Sequence, residues 1–227
     1  LFVAEDRDFP APDNRSLHLG RVRLLEDTDG DGRFDASRDF AENLMSPSAL
    51  ICWDKGVIVA AGTQVLHLKD TNGDGRADER TVLFSPPTNV TVSVESPLPI
   101  RSFVWGLDNR IHAAAGGVKA DFATVCASNA PTAGWAGQDF AFDPRMRVIE
   151  AESSFGSTGV SFDTRGRKFV CAETHALRQV MWAARDAAFP NRFVLPPPMA
   201  EIAGPASASP ILPLRVSKLP TSSVPHT

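Results

Sequence analysis

Two segments, VRLLEDTDGDGRFD at Val22–Asp35 and VLHLKDTNGDGRAD at Val65–Asp78, share nine of fourteen residues and lie 43 positions apart. Each starts as a short apolar run and ends in a turn crowded with carboxylates. Such a turn repels itself unless something neutralises it. Counted from Asp27, carboxylates fall at positions 1, 3, 5 and 9, with Gly32 at position 6. The second copy places Asp70, Asn72, Asp74 and Asp78 in the same slots, with Gly75 at the sixth. This is the D-x-[DN]-x-D-G pattern of a calcium loop, in which alternate side chains point inward and position 7 offers its carbonyl. The expected ligands are Asp27, Asp29, Asp31, Arg33 and Asp35 in one loop, and Asp70, Asn72, Asp74, Arg76 and Asp78 in the other. Arg33 and Arg76 would contribute through the main chain alone.

Oxygen donors at this density favour calcium over zinc, which prefers His and Cys, and over magnesium, which keeps its water. The loops depart from an EF-hand. Position 12 is Arg38 in one and Thr81 in the other, where an EF-hand has a bidentate Glu. Strand-like VRLL and VLHL lead in where helices would stand. The expectation is a pair of structural staples at strand-to-strand turns.

The rest of the chain reads as all-β. Short runs rich in Val, Ile, Leu and Phe lie between Gly, Asp, Asn and Pro, and only Leu177–Ala188 offers a candidate helix, with a strand and a loop as the alternative. A longer rhythm underlies them. LFVAED at Leu1, DKGVIVAAG at Asp54, DNRIHAAAG at Asp108 and DTRGRKFVCAE at Asp163 repeat one phrase, with Asp-to-Asp intervals of 54 and 55 residues. Repeats of this length made of several short strands predict β-propeller blades, here about three to four blades of a larger ring. The strands ending AAG and AAAG are expected nearest the axis, where space tapers. The partial propeller is expected over residues 1–198. Residues 199–227 form a Pro/Ser-rich tail expected to be irregular.

The formal charge of −4 conceals the seven Asp of the two loops, and no basic run suggests nucleic acid as a partner. Cys52, Cys126 and Cys171 show neither metal spacing nor a disulfide framework. No apolar run is long enough to span a bilayer. Opening on Leu1 inside an apolar phrase, the chain reads as a piece of a longer protein.

The succession of LFVAEDRDFP, the two acidic loops, VWGLDNRIHAAAGG, GQDFAFDP, GVSFDTRGRKFVCAE and NRFVLPPP resembles the N-terminal propeller of the PVC-type membrane-bound dehydrogenases. Longer members of that family carry a C-x-x-C-H cytochrome segment, and the propeller is similar to sugar dehydrogenases of the glucose/sorbosone type that use pyrroloquinoline quinone (PQQ). The resemblance runs from Leu1 to about Pro198 and implies a periplasmic or extracytoplasmic location. It also implies oxidation of a sugar or related alcohol, with electrons passed to a cytochrome c domain or partner. No C-x-x-C-H occurs in this chain, so no haem attaches within it. Such a reaction needs a base and cations to hold the quinone. His175, His112 and Arg178 are the candidates, because they sit in or beside the recurrent strands; packing alone is the competing role for both His. Trp53, Trp105, Trp135 and Trp182 are expected to pack between blades. The alternative to an enzyme is a non-catalytic propeller that binds carbohydrate or protein.

Overall fold

A computed structural model of the chain describes residues 1–7, 18–62, 64–85, 100–115, 119–124, 133–136, 139–152, 154, 158–172, 175–180 and 199–203. The described residues are all-β and build four antiparallel sheets. The first sheet holds β1 (Phe2–Glu5), β2 (Gly20–Glu26) and β3 (Ala36–Leu44) in that order. The second is a meander of β4 (Pro47–Trp53), β5 (Gly56–Ala61), β6 (Gln64–Lys69) and β7 (Glu79–Ser85). The third runs β8 (Ser102–Trp105), β9 (Ile111–Ala114), β12 (Phe140–Asp143), β13 (Val148–Ala151). Between β9 and β12, the hairpin of β10 (Lys119–Thr124) and β11 (Ala133–Ala136) crosses to the second sheet and pairs with β7. The fourth sheet is a meander of β14 (Gly159–Phe162), β15 (Lys168–Ala172), β16 (His175–Val180) and β17 (Met199–Ala203).

Strand β5, GVIVAA, shows how the layers stack. All six of its residues are buried, so both faces of this strand are covered. Its alternation assigns each face. Ile58 and Ala60 join a core with Ile111, Ala113, Phe140 and Phe142 of the third sheet. Val57, Val59 and Ala61 join another with Val22, Phe40 and Leu44 of the first. The second sheet therefore lies between the first and the third. Phe142 anchors the larger core, edge-on to Phe84 at 5.1 Å and to Phe103 at 5.8 Å. Strand β9 repeats the logic, with Ile111 and Ala113 facing the second sheet and Ala114 facing Val160 and Val170 of the fourth.

The recurrent strands occupy a different place from the one expected. Strands β5, β9 and β15 are second in their sheets rather than first. The strands that lead each sheet are the ones in contact: β8 packs against both β4 and β14. The small residues of AAG and AAAG follow from being packed on both faces by neighbouring sheets, not from a tapering axis. Two further expectations change. Leu177–Val180 is the end of strand β16, and residues 181–188 lie outside the described residues. Met199–Ala203, placed in the irregular tail, is a strand paired with β16, so the fourth sheet crosses the boundary expected at 198. Residues 204–227 lie outside the described residues.

Candidate metal loops and a buried polar cluster

The two acidic loops fold alike, atom for atom. In the first, Asp27 accepts from the Gly30 amide through Oδ1 (2.7 Å) and from the Gly32 amide through Oδ2 (2.9 Å). In the second, Asp70 accepts from Gly73 at 2.6 Å and Gly75 at 2.9 Å. Asp29 accepts from the Asp31 amide and Asp31 from the Arg33 amide, as Asn72 does from Asp74 and Asp74 from Arg76. Gly30, Gly32, Gly73 and Gly75 have φ between +79° and +87°, where a side chain would strain the backbone. The ninth residue closes each loop. Asp35 takes the Thr28 amide and hydroxyl at 3.0 and 2.6 Å, and Asp78 takes those of Thr71 at 3.0 and 2.7 Å. Main-chain bonds from Asp35 to Glu26 and from Asp78 to Lys69, each 3.0 Å, seal the bases.

This geometry divides the expected ligands. Carboxylate oxygens of Asp27, Asp29 and Asp31 lie within 4.8 Å of one another and are exposed to solvent. Asp35 and Asp78 instead brace the loop through Thr28 and Thr71. The side chains of Arg33 and Arg76 are exposed, as a carbonyl-only role requires. All-oxygen donors suit a hard divalent cation. In the second loop Asn72 replaces one carboxylate, and its amide donates to Asp74 Oδ2 at 3.3 Å. Backbone donors hold the Asp27 carboxyl below the usual carboxylate range, led by the Gly32 amide. The Thr28 and Thr71 hydroxyls do the same for Asp35 and Asp78. These groups stay ionised well into acid. Arg38 ties the loops together, reaching Glu26 Oε2 at 2.5 Å and the Asp74 carbonyl at 3.1 Å.

The catalytic candidates fare differently. His112 is buried in β9, with Nδ1 2.9 Å from Glu152 Oε1 and Nε2 3.1 Å from Asp108 Oδ1. No ring nitrogen is left free to take a proton from a substrate, so the packing role is the one its surroundings fit. Gly106 makes this possible, since a Cβ there would lie 2.4 Å from His112 Nε2. Arg178 lies in β16 with its buried Nε unpaired among the described residues. His175 begins the same strand, opposite Ala172, and its side chain is outside the described residues.

Sequence reasoning missed what surrounds His112. Lys168, 3% exposed, extends from β15 to Glu152 Oε2 (2.5 Å) and Ser154 Oγ (2.7 Å), and lies 3.7 Å from Asp139 Oδ2. Asp139, fully buried, accepts the Ser154 hydroxyl at 2.7 Å and the Ala115 amide at 3.3 Å. A signal was available: Lys168 shares the inward parity of Val170 in KFVCA. Trp105 also departs from expectation, at 38% exposed, whereas Trp53 packs on the His67 ring at 4.6 Å between centroids. Trp53 borders an open cleft of about 500 Å³ with Phe2, Cys52, Asp54, Lys55 and Gly56. No helix among the described residues is long and apolar enough to cross a membrane.

A search of curated proteins returns no match to the chain. Residues 1–226 match one family throughout, and the chain belongs to it: the family described as Domain of unknown function (DUF7133).

Proposed function

We propose that the chain is a calcium-stabilised part of a β-propeller from an exported, quinone-linked dehydrogenase that oxidises sugars or related alcohols and passes electrons to a cytochrome. The observation that carries the calcium half is the duplicated loop, with one hydrogen-bond scheme built twice from different residues. The propeller reading draws support from meanders stacked face to face and from the contacts among their leading strands. The dehydrogenase half rests on the family resemblance, and fold alone does not establish chemistry. In this reading β16 supplies His175 and Arg178, and PQQ takes the hydride. Calorimetry with Ca²⁺ should find about two sites, and Asp31→Ala should abolish one. Dye reduction by sugars that depends on both PQQ and calcium would carry the enzymatic half, and a full survey of sugars without reduction would remove it.

Two observations favour the second reading, a non-catalytic propeller that binds carbohydrate or protein. His112 is spent on Glu152 and Asp108, and the Trp53 cleft offers an aromatic wall on which a sugar ring can stack. Quenching or shift of Trp fluorescence by oligosaccharides, lost in Trp53→Ala, is the expected result under this reading.

A further inference from the structure

The cluster around Lys168 joins two sheets and serves neither metal loop nor proposed reaction. The apolar contact at that junction is small: four buried residues, Ala114, Val160, Val170 and Val180, against twelve in the core between the second and third sheets. Charge must carry part of the contact. Every charged or titratable group facing the cluster among the described residues can be named. The third sheet supplies Asp108 from the β8–β9 turn, His112 from β9, Asp139 from before β12, and Glu152 with Ser154 from after β13. The fourth supplies Lys168 from β15, while β14 adds the Phe162 ring against His112 at 4.6 Å. Asp108 is about half exposed and keeps its water, leaving Asp139 and Glu152 as the buried anions and Lys168 as the buried cation.

Two buried negative charges against one positive is a costly imbalance. A doubly protonated His112 removes it. The ring also faces a carboxylate oxygen at each nitrogen, and an imidazole donates through both only when it carries both protons. Glu152 agrees in direction. Burial alone would push its carboxyl up, yet the His112 hydrogen bond and the Lys168 charge together hold it below its ordinary range. We propose that this cluster is a proton-operated clasp, closed between the third and fourth sheets while His112 is an imidazolium and opened when the ring loses its second proton.

The test reads ring and junction on the same sample. Imidazole ¹⁵N spectra of the intact chain near neutral pH, with His112 assigned through His112→Gln, should show two protonated nitrogens. The pH is then raised until that spectrum turns neutral. Amide exchange in β14 and β15, corrected for its intrinsic rate, should accelerate about tenfold at that point, while β5 and β6 hold steady. Lys168→Met should produce the same opening without any change of pH. A ring with one bare nitrogen in the closed state overturns the proposal, as does β14 protection indifferent to the ring's charge. Should Lys168→Met fail to fold, the wild-type ring spectrum and exchange decide the question alone.

Discussion

The link between third and fourth strands is solved in two ways within one molecule. In the first two sheets it is a nine-residue acidic loop, Asp27–Asp35 or Asp70–Asp78, whose carboxylates find only backbone amides and hydroxyls. In the third sheet the same link is the short turn between β12 and β13. There Asp143 accepts from Arg145 at Nε and Nη2, at 2.9 and 3.0 Å, so the cation is built into the chain. Accordingly, the Arg145 guanidinium is the first cause of the low Asp143 carboxyl. A turn that carries its own positive charge needs no ion. The two loops that lack one are where an ion is proposed, and the comparison extends inward. Broad apolar cores hold the first three sheets together, whereas a small apolar patch and a buried charge cluster hold the fourth.

The largest effect is expected at that charge cluster. Lys168→Met strands two buried carboxylates and should cost about 3–5 kcal/mol in denaturant unfolding. Adding Asp139→Asn and Glu152→Gln should return a large part of that loss, because the replaced groups no longer carry charge. A Lys168→Met chain as stable as wild type would mean that the fourth sheet is held by apolar packing after all.

Next in size is the ion at the acidic loops. With calcium at a hundredfold excess over its dissociation constant, each filled site adds about 2.7 kcal/mol. Chelation should lower the melting temperature, and Asp31→Ala should remove about half of the difference. The first loop should bind more tightly, since it converges three carboxylates where the second has two and Asn72. Asn72→Asp should narrow that gap. Equal stability with calcium and with chelator would break the contrast with the Arg145 turn.

Acid should separate the regions further. Burial opposes the Glu152 charge, but His112 and Lys168 prevail, so its folded carboxyl titrates below its unfolded value of 4.5. Such a group stabilises fully above the unfolded value, and that stability disappears as pH falls through the folded one. Unfolding in stepwise acidification, followed by amide exchange, should therefore release the fourth sheet before the second, whose core contains no such pair.

The physical reason some of this was legible in sequence is that it is local. The loops, their glycines and the strands leading into them are written in consecutive residues, so spacing alone located Asp27 to Asp35 and Asp70 to Asp78. The β-strand rhythm was equally local. The order of strands within a sheet is not, and GVIVAAG was assigned the leading place although it is second. Its uninterrupted apolar run, buried on both faces, was the clue. The Lys168 cluster is assembled from residues separated by up to 60 positions, Asp108 to Lys168, and no motif marks it. Only the inward parity of a lysine in KFVCA set it apart.

The smallest effect concerns how the second sheet begins. Trp53 pairs with Gly56, leaving Asp54 and Lys55 as a two-residue loop with φ of 42° and 61°. Positive values at both positions are those of a type I′ turn, whose hand matches the twist of the flanking strands. Asp54 repays its strain partly through Lys69, 2.7 Å away. Lys55 is exposed, and the bond it makes to Asp70 uses its carbonyl, which glycine retains. A left-handed residue with a side chain costs about 1–2 kcal/mol, and glycine returns about 0.5–1 of that through unfolded-state freedom. Lys55→Gly should therefore stabilise the chain by about 0.5–1 kcal/mol, a rise of about 2 °C in melting temperature. Asp54→Gly should gain less, because it gives up the Lys69 ion pair along with the strain. If the two glycine variants melt alike, the Asp54–Lys69 pair contributes nothing, and the turn is governed by backbone conformation alone.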